Sequence, residues 1–154
     1  MRTLALTALF VMAACGEDLP LAETSFDERG PLMQAGQNCM SCHIKGGEAA
    51  GKLWTAAGTV YPAADSDYRD GVAGASIILT DATGKVVTLT SNEVGNFYTA
   101  EPLAFPYRVR LEYQGRTADM PIPLDSLGAC AGCHAQVGRA GALGRIRVPA
   151  MASQ

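Results

Sequence analysis

A mainly β fold, with two sheets packed as a sandwich over residues 57–124, is the reading that three features of the sequence support. From Gly58 onward apolar and polar residues alternate with a period of two, the runs are rich in Val, Ile, Thr and Tyr, and turn-forming residues interrupt them every eight to twelve positions. Alternation is clearest in Ser76-Ile77-Ile78-Leu79-Thr80 and in Tyr107-Arg108-Val109-Arg110-Leu111-Glu112-Tyr113. One face of each run is apolar and the other polar, as half of a sandwich requires.

The elements follow in order. Strands are predicted near 57–62, 75–80, 85–90, 96–100, 107–114 and 116–120, with turns at Asp81-Ala82-Thr83-Gly84 and Ser91-Asn92-Glu93-Val94-Gly95. Ahead of them, from Leu32 to about Ala50, lies a short segment of helical character around the first Cys pair, ending in Gly46-Gly47. After Leu124 the strand pattern stops, a short helical turn is expected around Cys130, and the Gly-rich tail is expected to be extended. At 154 residues the chain has the length of one domain, and its 48% apolar and 18% charged composition is that of an ordinary globular protein. A net charge of −3 provides no basic field for phosphate backbones, so no nucleic-acid partner is expected.

The stretch GVAGASIILTDATGKVVTLTSNEVGNFYT resembles the Ig-like sandwich of carboxypeptidase-regulatory-like and transthyretin-like domains, a likeness that extends on either side of it to about 65 residues. That resemblance implies a fold; function has to come from a site.

At the N-terminus, Arg2 precedes an uncharged apolar run of 11 residues from Leu4 to Ala14, too short for the roughly 20 that cross a bilayer and patterned like a secretory signal. Met12-Ala13-Ala14-Cys15-Gly16 resembles the lipobox of bacterial lipoproteins, with Met12 where Leu is commoner. The resemblance implies cleavage before Cys15, acylation of its thiol and a membrane partner reached through that lipid. Gly16 after the cysteine implies the outer membrane. The alternative is a plain signal cut near Ala14, with Cys15 a free thiol; either way the mature chain is extracytoplasmic, in the periplasm or on a bacterial membrane. Residues 1–14 thus read as signal peptide. Residues 15–31, with two Pro, two Gly and an acidic excess, read as anchor and tether.

Cys39-Met40-Ser41-Cys42-His43 and Cys130-Ala131-Gly132-Cys133-His134 repeat one five-residue motif and use both His and four of the five Cys. The spacing is that of c-type haem attachment. Two thiols separated by two residues reach the vinyl groups on one edge of a porphyrin, and the adjacent His ligates the iron. Gly36-Gln37-Asn38 and the five residues after them resemble the attachment site of small cytochromes c. The resemblance implies haem c bound covalently at Cys39, Cys42, Cys130 and Cys133, with His43 and His134 as proximal ligands, one haem in segment 32–56 and one in segment 125–154. The helical remainder of the small cytochrome c fold is replaced by the β-domain.

Other readings of the four thiols stay open. A zinc ribbon spaces its Cys pairs by about 15–20 residues, whereas 86 residues lie between His43 and Cys130. Thiol–disulfide exchange expects a βαβ context, and two structural disulfides suit an oxidising compartment.

With both His proximal, neither haem is bis-His ligated within one chain. Met120, in Met120-Pro121-Ile122-Pro123, resembles the Pro-flanked Met that supplies the distal thioether in small cytochromes c, ahead of Met33 and Met151. An end-of-strand core residue is the plainer role for Met120. Trp54 packs either on the first haem or in the sandwich end, and Arg139, Arg145 and Arg147 either meet propionates or form a solvated cationic tail. No His remains for a Ser-His-Asp arrangement, so an electron carrier with an unspecified redox protein partner is expected rather than an enzyme. The alternatives are a haem-free binding module whose Cys pairs hold zinc or disulfides, and a ligand-sensing or peroxide-reducing haem protein with an open distal site.

Overall fold

The computed structural model describes residues 30–150. The expected signal peptide, Cys15 and Met151 lie outside them. The described chain is mainly β, in two sheets. Eight strands run as β1 (Ala56–Tyr61), β2 (Ser76–Thr80), β3 (Val86–Thr90), β4 (Asn96–Thr99), β5 (Arg108–Tyr113), β6 (Arg116–Asp119), β7 (Gly128–Ala129) and β8 (Ile146–Arg147), with one helical turn, α1, at Cys130–Cys133. No described helix is long and apolar enough to cross a membrane.

The second sheet, in the order β3-β2-β5-β6, is antiparallel throughout. Ile77 pairs with Leu89 on one side and Leu111 on the other, and Leu79 pairs with Val87 and Val109. All of these side chains fall on one face, which the period of two makes apolar. The first sheet is built around β1, antiparallel to β4 on one edge and parallel to β7 and then β8 along the other. Ala56, Val60, Ile77, Leu79, Phe97, Leu103, Tyr107 and Leu111 form the core between the sheets.

Beyond the six strands expected, β7 and β8 bring residues 128–129 and 146–147 into the sheet. The tail expected to be extended thus returns to pair with Val60 and Tyr61. The helical segment expected before β1 reduces to a 3₁₀ turn at Cys39–Ser41. Positive φ at Gln34, Gly36 and Gly46 breaks any longer helix there.

The turn between β2 and β3 is organised by Asp81. Its Oδ1 accepts from Thr83 N–H at 2.8 Å, Thr83 Oγ1 at 2.7 Å and Lys85 N–H at 2.9 Å, and its Oδ2 accepts from Ala104 N–H at 3.0 Å. Gly84 turns the chain at φ +86, where a Cβ would be strained. These donors, the Ala104 amide foremost, hold the Asp81 carboxyl down at about 2 against an ordinary 3.8. The folded state therefore gains stability from ionised Asp81 above pH 3.8 and loses it as pH falls toward 2. Urea midpoints taken across that range should fall more steeply for the wild type than for Asp81→Asn. In the core, Leu79→Ala should cost about 2–5 kcal/mol in urea unfolding, against about 0.5 kcal/mol or less for exposed Thr88→Ala.

Candidate haem-attachment sites

Both Cys-x-x-Cys-His motifs fold into a single helical turn closed by the same bond. His43 N–H donates to Cys39 O at 3.0 Å and His134 N–H to Cys130 O at 2.8 Å. Thiols three residues apart on such a turn share one face. Cys39 Sγ leans on Gln37 O at 3.6 Å and Cys130 Sγ on Gly128 O at 3.5 Å, the carbonyl two residues back in each case. Asn38 caps the first turn, its Oδ1 accepting from Met40 N–H at 3.2 Å, while Ser41 Oγ donates to Asn38 O at 2.7 Å. Ala129 gives the second turn no side-chain cap. There the β7 pairing to β1 fixes the entry instead, Ala57 opposite Ala129 and Cys130 next in the chain.

The imidazoles are oriented alike. His43 Nδ1 lies 2.8 Å from Lys52 O and His134 Nδ1 3.0 Å from Gly144 O. A carbonyl only accepts, so Nδ1 carries the proton in each ring and Nε2 presents its lone pair. His43 is 4% exposed and its Nε2 is buried without a hydrogen-bond partner, one of two such side-chain atoms among the described residues. The other is Tyr107 Oη, which lies against Gly128 two residues before Cys130. A buried unsatisfied ring nitrogen costs about 1–3 kcal/mol, a penalty that binding a metal centre removes.

The fold brings the two motifs together. Segment 31–36 lies on the outer side of the first sheet through a polar ladder: Gly36 N–H donates to Thr59 Oγ1 at 2.9 Å, Thr59 Oγ1 to Asn96 Oδ1 at 2.7 Å, and Asn96 Nδ2 to Met33 O at 2.9 Å. The 3₁₀ turn then packs on β1 and β7, and α1 packs on β1. Gly132 comes within reach of Asn38, whose Nδ2 would sit 3.9 Å from a Cβ there. Cys39 is close enough to Cys130 to raise the pKa of the Cys130 thiol. Burial, chiefly, pushes the Cys39 thiol up to about 11 and the Cys130 thiol to about 12. These two thiols are therefore neutral at ordinary pH.

All four described cysteines are free, and no group of three or more His, Cys, Asp or Glu among the described residues is placed to hold a metal ion. The donor set therefore lacks the tetrahedral arrangement of a zinc ribbon. Each motif presents two thiols on one face of a turn and one imidazole beside them.

The remaining sequence candidates fall in different places. Trp54 stacks on the His43 ring itself, with centroids 3.4 Å apart and planes 9° apart. Arg145 is buried on the outer face of the first sheet beside Gly36, donating to Ser66 O at 2.8 Å and lying over the Tyr61 ring at 4.4 Å, and Arg147 is exposed on β8. Met120 follows β6 in the second sheet, its amide donating to Val109 O at 2.9 Å, whereas both motifs pack on β1 in the first. Tyr98 and Lys52, which complete the surroundings of His43, carry no motif; only the contacts reveal them. No protein-family model, curated protein or solved structure matches the chain.

Gly58 is the joint between the motifs and the core. A Cβ there would lie 2.8 Å from Phe97 Cζ and 2.9 Å from Cys130 Cβ. Gly58→Ala should therefore cost about 1–3 kcal/mol in urea unfolding by pushing α1 off β1.

Proposed function

We propose that the chain is an extracytoplasmic, lipid-anchored dihaem cytochrome c that carries single electrons. One haem c would be held by Cys39, Cys42 and His43, the other by Cys130, Cys133 and His134. The observation that carries this reading is the paired geometry: each imidazole follows two thiols on one turn and has its Nδ1 committed to a backbone carbonyl. Exchange of one electron between ferric and ferrous iron is the chemistry haem supplies when bound.

The chain's own residues would do the rest. The thiols fix the group covalently as thioethers, which carry no charge and suit the buried surroundings of Cys39 and Cys130. Lys52 O and Gly144 O hold the tautomer that frees Nε2. The shared packing on β1 makes the attachment points neighbours, which favours a two-centre relay over two isolated carriers. Membrane attachment through Cys15, an outer-membrane or periplasmic location and a redox protein partner complete the proposal.

Intact mass and visible spectra of the mature protein test it. Two covalent haems with a low-spin reduced spectrum are expected, one remaining in the Cys39→Ser/Cys42→Ser variant and one in Cys130→Ser/Cys133→Ser. A wild-type mass without haem would overturn the reading and leave a binding module. Met120→Ala should lower the midpoint potential of one haem when the thioether binds iron; unchanged potentials would make Met120 only the end of β6.

A further inference from the structure

We infer that Trp54, backed by Tyr98, is the positioning residue of the first haem site, fixing the plane of the His43 ring and shielding it from water so that the two sites are unequal. The inference rests on the dihaem reading.

Three rings are stacked in a row. Trp54 lies 3.4 Å from His43 with planes 9° apart, and Tyr98 lies 4.4 Å behind Trp54 with planes 13° apart. Tyr98 belongs to β4 and pairs with Ala57 on β1, so the far end of the stack is built into the sheet. Trp54 is also tied to the motif through its backbone, Trp54 N–H donating to His43 O at 3.1 Å.

Two restraints of different direction therefore act on His43. The Nδ1 bond to Lys52 O sets where the ring edge points but leaves the ring free to rock about that bond. The indole face removes the rocking. His134 has the first restraint, from Gly144 O. Among the described residues it has no stacked ring, and it is only half-buried, whereas His43 is 4% exposed.

The electrostatic consequence follows from burial. A ferric centre carries one more positive charge than a ferrous one, and a site closed to water stabilises that charge less. The first haem should titrate at the higher potential, with the more open second site as its exchange partner.

A potentiometric titration of the wild-type holoprotein, followed by EPR of the ferric haems, tests this. The Cys130→Ser/Cys133→Ser variant assigns the first-site signal. Trp54→Ala should broaden that signal and lower its midpoint while leaving the second unchanged. Trp54→Phe should restore the width, and Tyr98→Ala should shift the signal less but in the same direction. If Trp54→Ala binds both haems with an unchanged first-site signal, or moves both signals equally, the inference fails while the dihaem reading stands. Should Trp54→Ala not take up the first haem, Tyr98→Ala decides: a broadened first signal supports the inference and an unchanged one overturns it. A wild-type protein without haem removes the dihaem reading itself.

Discussion

β1 is the constraint on which the rest of the structure depends. Each of its six residues, Ala56 to Tyr61, is buried, because both faces and both edges are occupied. Ala56, Gly58 and Val60 face the second sheet, and Ala57, Thr59 and Tyr61 face the segment that carries the first motif. Small side chains at three successive positions admit Phe97 and Cys130 from one direction and the 3₁₀ turn from the other. A strand so enclosed has no route to relax, so groups packed on it are held in fixed register. Sites supported by rigid elements hold their geometry better than sites on free loops.

Much of the sandwich was legible from residues alone. The strand expected near 75–80 is found at Ser76–Thr80, its burial alternating although Ile77, Ile78 and Leu79 are all apolar, and Asp81-Ala82-Thr83-Gly84 makes the turn expected of it. β1, expected near 57–62 and found at Ala56–Tyr61, alternates less in residue type than β5, since a strand covered on both faces has no polar side to show. β7 and β8 span two residues each, too short for any period. They form because backbone groups along the free edge of β1 need partners, a tertiary demand that no local pattern announces.

The candidate site divides in the same way. The thiols and imidazoles stand in the sequence as a motif, and the closing bonds from His43 and His134 to Cys39 and Cys130 are local. That the two motifs meet is not local. It depends on β7 lying parallel to β1, a long-range pairing across about 70 residues. Arg145 shows the opposite case. Its neighbours suggest an exposed cationic tail, yet it is 4% exposed, with its charge satisfied by Ser66 O and the face of Tyr61. A guanidinium can be buried in this way because it stacks and donates at once.

The two motifs therefore separate what sequence can set from what only the fold can set. Identical spacing produces identical inner geometry: one turn, a thiol leaning on the carbonyl two residues back, an Nδ1 bound to a carbonyl nine or ten residues on. The surroundings differ because the motifs reach β1 by different paths. The first arrives over the outer face of the sheet, beneath a loop that returns Trp54 onto its histidine. The second arrives along the edge, between β7 and β8, and leaves His134 half-buried. A face contact closes a site more completely than an edge contact does, because a sheet face presents side chains and an edge presents mainly backbone. Two copies of one motif thus acquire different exposure without any change in the motif, and under the dihaem reading that difference gives a short relay its direction.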